Sequence, residues 1–435
     1  MSKNRRRWRY LQALLLAAGL LWVASEWRQR RRDRSAFAEI EAEMNNGRFG
    51  IAARKLSELL PRRPVSDQAA YLLGTCEKAR GRYQAATEAW ARVTPGSEFS
   101  YQAVQARMRL AEDIGRFADA ERLVNEAAQD PRSERTELLV MLVPLFSQLG
   151  RLDEAERLVE ARWEHLKAIG EETSERAIFQ LRLHIVLTVK PNSVANVRAY
   201  LDRAFASARD DDRIWLGRAN LAIRTGNVDE AKRWLDACLE RRPDDVSVWR
   251  ARLNWAMASK QVDVVRQAFA HIPAADSTPA QLHRVSAWLF SHQGDMASER
   301  LELERLVAVD PGDLTALDRL IRLAEHDRQP DRAAQFCREK AAIEGVRARY
   351  EKLYDRKQPI RHAVEMASLA ERLGRTFGAR AFLTLAIAED PEREGQRRDL
   401  ARLLYSPPAI AGRAQTLAEA LAHALGDVKN EDAKD

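Results

Sequence analysis

Apolar residues recur through most of the chain at intervals of three and four, the spacing that places them on one face of an α-helix. Segments with this pattern, such as 69–79 and 212–224, are each followed by a turn glycine and then by a second segment of the same kind. Glycine ends a helix in a left-handed turn at low steric cost, so this order predicts pairs of helices joined by short turns. We therefore expect an all-α protein.

The predicted pairs recur at a nearly fixed distance along the sequence. Successive turns are 34 or 35 residues apart in the first four units, and the spacing of 34 returns in the second half of the chain. A small residue, usually alanine, stands five positions after most turns, where it lets two helices cross closely. A fixed period of this length is typical of arrays in which each unit packs on its neighbours. The turn positions are Gly47, Gly81, Gly115, Gly150, Gly226, Lys260, Gly294, Arg328 and Gly374.

Together these features resemble the tetratricopeptide repeat family. Trp215 and Trp249 stand eleven residues before their turns, Gly74 stands seven before its turn, and prolines follow several turns at seventeen residues. The resemblance implies an all-α fold, a right-handed α-solenoid of about ten or eleven helix-turn-helix repeats. It also implies a concave face lined by the first helix of each repeat.

The resemblance covers residues 35–425, with departures. Residues 160–200 are too long for one unit, and one overlong helix is expected within 330–360. Pro144 should kink a first helix, because proline cannot donate the hydrogen bond that a helix interior needs. Capping helices are expected at 394–425, and a polar, disordered tail at 426–435.

The positive charge of the chain is concentrated at one end. The chain carries 71 Lys and Arg against 64 Asp and Glu, but residues 1–34 hold ten of the basic residues and only two of the acidic ones. The remaining residues carry 61 basic and 62 acidic groups, so the body is close to neutral. The body therefore lacks the summed positive field that drives binding to nucleic acid.

The charge-free segment 10–25 lies between two basic groups, with Trp8 and Trp27 at its ends. We interpret residues 1–34 as an anchor in a lipid bilayer, with a single transmembrane helix over about residues 8–27. A cleaved signal peptide and an ordinary buried helix are the alternatives. Equal numbers of basic residues on the two sides leave the orientation open. We expect the body on the exported, periplasmic side, with the cytoplasmic side as the alternative.

Signatures of catalysis are missing from the sequence. It contains no HExxH, GxSxG or GxGxxG motif and no glycine-rich phosphate loop. The three cysteines are widely spaced without a CxxC, and the eight histidines are scattered. The sequence therefore predicts no enzyme activity, no cofactor, no metal site and no small-molecule substrate. The cysteines are expected to be small buried apolar residues.

The resemblance to tetratricopeptide repeats also implies where a partner binds. Groove positions in this family lie at set distances before each turn. Arg250 and Asn254 are four residues apart on one helix face and resemble part of the carboxylate clamp that holds a peptide C-terminus. Trp288 is the best anchor candidate, unless its helix is rotated so that the indole belongs to the core. The candidate groove residues are Asn220, Arg250, Asn254, Arg284, Trp288 and Arg322.

The sequence thus predicts a non-enzymatic, membrane-tethered scaffold or adaptor that binds a protein or peptide along its concave face. Envelope biogenesis or the assembly of a complex is the expected setting. A non-catalytic regulatory subunit of a membrane enzyme complex is the first alternative. A cytoplasmic nucleic-acid adaptor is a weaker one, because arginines in the body alternate with acidic residues at helical spacing.

Overall fold

A computed structural model of the 435-residue chain describes residues 35–60, 66–189, 192–273 and 276–390, together with 395, 398, 399, 402 and 403. Every regular element in these residues is helical. The predicted anchor at 1–34, most of the predicted capping region and the predicted tail lie outside them. Across the described ranges, no helix is both long and apolar enough to span a membrane.

The chain divides into two compact units. Unit 1 comprises residues 1–111 and 123–138, and unit 2 comprises residues 112–122 and 139–435. Buried residues of α1 to α5 form the core of unit 1. The first eight helices are α1 (residues 35–45), α2 (Phe49–Leu59), α3 (Asp67–Ala79), α4 (Tyr83–Trp90), α5 (Ser100–Asp113), α6 (Phe117–Ala127), α7 (Arg135–Leu139) and α8 (Val143–Leu149).

The remaining helices all belong to unit 2. Most pack in consecutive pairs, α12 on α13, α14 on α15, α16 on α17, α18 on α19 and α20 on α21. This pairing confirms the predicted helical hairpins. The helices are α9 (Leu152–Ala168), α10 (Glu175–Val189), α11 (Val194–Ser207), α12 (Asp212–Arg224), α13 (Val228–Arg241), α14 (Val246–Ala258), α15 (Val262–Ala270), α16 (Pro279–Gln293), α17 (Met296–Val309), α18 (Leu314–His326), α19 (Pro330–Asp355), α20 (Ala363–Arg372) and α21 (Thr376–Glu389).

The predicted turns are left-handed. The seven predicted turn glycines have φ between 72° and 77°. Lys260 and Arg328 occupy the same repeat position without being glycine, and they also have positive φ, at 59° and 56°. The repeat period therefore locates the turn even where the residue itself disfavours that conformation.

A small residue stands five positions after eight of the nine turns and is buried there, as the need for close helix crossing predicts. Glu299 occupies this position after Gly294. All eight positions are at most 8% exposed. They are Ala52, Ala86, Ala120, Ala155, Ala231, Val265, Ala333 and Ala379.

Pro144 interrupts its helical segment. Helix α7 ends at Leu139, a 3₁₀ turn follows, and α8 begins at Val143 with Pro144 in its first turn. The missing N–H of proline is tolerated there, because the first N–H groups of a helix have no partner within the helix. The sequence predicted one helix kinked at Pro144, and the structure instead has two α-helices joined by a 3₁₀ turn.

The two irregular regions of the sequence meet in unit 2. Helix α19 is the predicted overlong helix, with 26 residues. One cluster of buried residues joins Trp163 and Leu181, on α9 and α10, to Tyr350 and Phe382, on α19 and α21. Trp163 and Phe377 are in edge-to-face contact with ring centroids 6.2 Å apart. We call this cluster the closure core, because it joins α9 and α10 to α19, α20 and α21, the last described helices of unit 2.

Candidate functional site

Three of the six candidate groove residues border a single cleft in unit 2. Arg284 and Trp288 on α16 and Arg322 on α18 line a cavity of about 680 Å³. We call it the Trp288 cleft. Its apolar wall comes from successive helices of the array and includes Met257, Ala287, Leu303, Leu306, Leu314 and Ala316.

Two first helices of successive repeats, α16 and α18, supply about half of the residues that line this cleft, and each has an N-terminal cap. Thr278 and Gln281 form a capping box at the start of α16, and Asp313 caps α18 by accepting from the N–H of Ala316 at 3.0 Å. Trp288 and Arg322 are one repeat apart, at the same offset from their turns. Equivalent positions of adjacent first helices therefore meet at one cavity.

Two of the arginines that line the cleft are paired within the chain. Arg284 donates to the carboxylate of Asp313 at 2.9 Å. Arg319 donates to both carboxylate oxygens of Glu299 at 2.6 and 2.8 Å. Glu299 is buried, so this pair also satisfies a charge that would otherwise be costly. Neither arginine is free to bind an anion without giving up an acidic partner.

Two further arginines in the cleft have no acidic partner in contact. Arg322 is exposed and forms no hydrogen bond or ion pair with any residue that the structure describes. Arg347, on α19, donates to the carbonyl oxygen of Gly312 at 3.2 Å, while its Nε is buried without a protein partner. The cleft therefore offers positive charge that the chain does not neutralise by contact.

The indole of Trp288 lies between core and cleft. It packs against the core cluster built by α12 to α16, and its ring stacks on the imidazole of His292 at a centroid distance of 3.8 Å. Part of the side chain remains accessible and borders the cleft. A half-buried indole held in this way is a preorganised apolar surface for a partner side chain.

Asn220 and Asn254 line a different, smaller cleft of about 310 Å³. Asn220 donates to the carbonyl oxygen of Leu149 at 2.8 Å, whereas Asn254 is exposed. Gln148 also lines this cleft, and its Oε1 is buried without a protein partner. A side chain at Gly150 would place its Cβ 2.9 Å from that of Asn220, so a residue without a side chain is required there. We call this the amide cleft.

Arg250 borders neither cleft. Its guanidinium donates to the carbonyl oxygen of Asp276 at 2.6 Å, and the side chain is 12% exposed. Arg157, on α9, lies 2.9 Å from the carboxylate of the same aspartate. The carboxylate clamp at Arg250 and Asn254 stays a prediction, and it would require Arg250 to exchange Asp276 for the ligand.

Two titratable groups, Glu156 on α9 and His184 on α10, interact electrostatically with Arg375 in the turn between α20 and α21. Burial, together with the nearby carboxylates of Asp153 and Glu160, raises the pKa of Glu156 to about 7. Burial, helped by the charge of Arg375, lowers the pKa of His184 to about 3. The edge of the closure core therefore holds an imidazole that stays neutral and a carboxyl group that titrates near neutral pH.

The sequence pattern did not point to Asp313, Arg319 or Arg347 as cleft residues. A signal existed for Asp313, because Asp211 and Asp245 cap first helices at the same repeat position. No comparable signal exists for Arg347, which lies in the part of α19 that exceeds the repeat period.

Among the residues that the structure describes, no three His, Cys, Asp or Glu side chains are placed to hold a metal ion. Cys76 and Cys238 are buried, as expected. The expectation was wrong for Cys337, which is exposed because it lies on the outer side of α19, next to the buried Phe336.

Comparison with known families identifies the repeat. Residues 37–98 and 193–253 each match a sequence model described as tetratricopeptide repeat. The chain contains tetratricopeptide repeats in these two segments. Such repeats are typical of scaffolds that bind other proteins.

Several solved structures of tetratricopeptide repeat proteins are similar to this chain, and no curated protein sequence matches it. One is a tetratricopeptide repeat protein from Parabacteroides merdae, at 15% identity over 67% of this chain and 98% of that chain, with a TM-score of 0.25. Another is yeast Tom70, at 14% identity, 89% and 91% coverage and a TM-score of 0.26. A third is the APC/C hetero-tetramer Cut9–Hcn1, at 10% identity, 84% and 88% coverage and 0.29. These values carry no argument about how the hairpins are arranged or what they bind.

Proposed function

We propose that the protein is a scaffold that binds a segment of another protein in the Trp288 cleft. The observation that carries this proposal is the meeting of a half-buried indole with the unpaired Arg322 on two successive first helices. Large aromatic and arginine side chains in a concave, desolvated setting supply much of the binding energy at protein interfaces.

The cleft also defines the chemistry of the partner segment. An apolar or aromatic side chain fits against Trp288 and Leu314, and an acidic side chain pairs with the exposed Arg322, with the positive charge of Arg347 nearby. Arg284 and Arg319 add little to this pairing, because Asp313 and Glu299 already neutralise them. The preferred partner is therefore a segment that is both apolar and acidic.

The wider setting of the proposal follows the sequence. The repeats form a right-handed solenoid of about ten or eleven hairpins, and residues 1–34 tether it to a membrane with the body on the exported side. Tethering raises the local concentration of the partner at the bilayer, which suits a role in envelope biogenesis or complex assembly.

Alkaline carbonate extraction tests whether residues 1–34 anchor the protein in the membrane. Protease accessibility of the body in spheroplasts tests on which side of the membrane the body lies. Release of the protein by carbonate would overturn the proposed anchor. Protection of the body from the protease would overturn its placement on the exported side.

Photo-crosslinking in cells that make the full chain tests the binding site. A photoreactive p-benzoylphenylalanine replaces Thr315, an exposed residue at the rim of the Trp288 cleft. We expect one discrete adduct with a partner protein. Trp288→Ala and Arg322→Glu should each reduce its yield roughly tenfold or more, as loss of a main binding contact does.

Arg338→Glu is the matched control, since Arg338 is an exposed arginine on α19 outside the cleft. It makes the same change of charge and should leave the adduct unchanged. An adduct that survives both cleft substitutions, or that Arg338→Glu removes equally, contradicts the proposed site. A partner that co-purifies in a fixed ratio and carries an active site would favour the regulatory-subunit alternative.

A further inference from the structure

A second cleft lies beside the closure core, where α10 meets the loop before α20 and the end of α21. Its volume is about 610 Å³. Ile178 and Arg182 of α10 form one side, Ile360 and Arg361 of the loop another, and Glu389 closes it from α21. We call it the seam cleft. It shares no lining residue with the Trp288 cleft.

The seam cleft is apolar at its base and positively charged at its rim. Arg182, Lys357 and Arg361 face a single acidic residue, Glu389. Arg182 donates to the carbonyl oxygen of Lys357 at 3.1 Å, and its Nε is buried without a protein partner. A cleft of this kind attracts an occupant that is acidic and partly apolar.

The chain itself leaves α21 at this cleft. Ala386 and Glu389, in the last turn of α21, are both lining residues. Further along the sequence, Arg402 pairs with Glu371 of α20 at 2.7 Å and Leu403 packs against the closure core. Residues after Leu403 therefore continue from a point on the same core that borders the seam cleft.

The sequence after that point has the matching composition. Leu417, Leu421 and Leu425 recur every four residues, and residues 427–435 hold four acidic side chains against two lysines. Leu417 stands fourteen positions after Leu403. This stretch spans about 20 Å as a helix and up to about 45 Å when extended. The 14-residue α21 is about 21 Å long, so the seam cleft is within reach.

We propose that residues 417–435 of this chain dock in the seam cleft. The leucines cover Ile178, Ile360 and Val364, and the acidic residues pair with Arg182, Lys357 and Arg361. Docking would join the closing segment of unit 2 to both sides of the closure core at once. The role is an intramolecular one and does not depend on the partner proposed for the Trp288 cleft.

Site-specific crosslinking of the purified full chain tests this docking. The photoreactive residue replaces Gln358, an exposed residue of the seam cleft, and adducts are mapped by mass spectrometry. Adducts with residues 417–435 in the monomer band are expected. Placing the same group at Gln335, an exposed glutamine on α19 outside the cleft, should give at least tenfold fewer of them.

Exchanging charges between the seam cleft and residues 431–432 tests whether these two sites contact each other. The double variant Lys357→Glu/Arg361→Glu should lower the yield of these adducts at least fivefold, and so should Glu431→Lys/Asp432→Lys. Combining the four substitutions should restore most of the yield. Adducts in a dimer band, adducts with lipid or another protein, or the absence of adducts with 417–435 would each overturn the proposal. So would a combined variant whose yield stays low.

Discussion

Arg375 donates a hydrogen bond to the main-chain carbonyl oxygen of Thr188 at 3.1 Å, although 187 residues separate them in the sequence. Arg182 makes a bond of the same kind to the carbonyl oxygen of Lys357. Both bonds cross the closure core and end on main-chain atoms. The closure therefore combines apolar burial with directional contacts that fix the relative position of its two sides.

The closure predicts a long-range effect of Phe377→Ala. Phe377 is buried and contacts both Trp163 and the imidazole of His184. Removing a buried phenylalanine costs about 3–5 kcal/mol. Hydrogen exchange should therefore accelerate in α10 as well as in α21.

The control for this effect is Leu235→Ala in α13, an equally buried residue of a neighbouring cluster. It should accelerate exchange in α12 to α14 and leave α10 unchanged. If Phe377→Ala affects α21 without affecting α10, the two sides of the closure core are not coupled.

Replacing Lys260 or Arg328 with glycine should stabilise the protein. Lys260 and Arg328 are held at positive φ, which costs a residue with a side chain roughly 1–2 kcal/mol. Part of that gain is offset by the greater chain entropy of glycine in the unfolded state. We expect Lys260→Gly and Arg328→Gly each to raise the free energy of unfolding by about 0.5–1 kcal/mol, measured by urea denaturation.

Two glycines at equivalent turns are the matched controls. A Cβ at Gly226 or Gly294 would meet no atom within 4 Å, so alanine there tests the backbone conformation without a clash. Gly226→Ala and Gly294→Ala should each lower the free energy of unfolding by about 1 kcal/mol. No change in any of the four variants would show that these turns carry no strain.

Glu156 predicts a pH-dependent effect on stability. Burial and neighbouring carboxylates raise its pKa from 4.5 to about 7 in the folded protein. The folded state then binds the proton more tightly than the unfolded state, so stability falls as the pH rises from about 4.5 to 7. Glu156→Gln removes this ionisation. The variant should match the native protein at pH 4 and exceed its free energy of unfolding by on the order of 2 kcal/mol at pH 8.

Urea denaturation at pH 4, 6 and 8 measures this difference, with the exposed Glu98→Gln as the control. The control should show no pH-dependent gain. A Glu156→Gln variant that is less stable than the native protein at pH 8 would mean that the carboxylate is ionised and supports the fold through Arg375.

Arg151 predicts a large cost for breaking a buried ion network. It makes paired hydrogen bonds to both oxygens of Glu121, at 2.8 and 3.0 Å, and of Glu154, at 2.9 and 2.7 Å. Arg151→Ala removes the cation that pairs with Glu154 and one of two cations that pair with Glu121, which keeps Arg213 at 2.6 Å. The substitution should cost about 3 kcal/mol, the lower end of the range for a broken buried ion pair. Arg151→Lys keeps the charge but not the fork, so its cost should be intermediate. Urea denaturation orders the three proteins, and a lysine variant equal to the native one would exclude a role for the fork.

Much of the fold was predictable, because the residues that form each helical hairpin lie close together in the sequence. The bounds predicted for α12 match the structure, and the turn at Lys260 was found from the period even without a glycine. The resemblance to tetratricopeptide repeats pointed to Trp288 and Arg322, which stand at the same offset from their turns and therefore on the same face of their helices.

The rest depends on contacts between distant segments. Arg250 was a candidate for binding a ligand, but Asp276, in a loop that carries no repeat signal, already holds it. Trp163 and Phe377 give no sign in the sequence that they meet. The irregular lengths at 160–200 and 330–360 marked where the period fails, without showing that the two places pack together.

The closure core also limits how unit 2 can change in evolution. An open solenoid can gain or lose a whole hairpin, because each hairpin contacts only its neighbours. In unit 2 the hairpins from α12 to α19 bridge two fixed ends, so one hairpin more or fewer would displace Phe377 from Trp163. The contact between Trp163 and Phe377 therefore fixes the number of hairpins in this part of the chain.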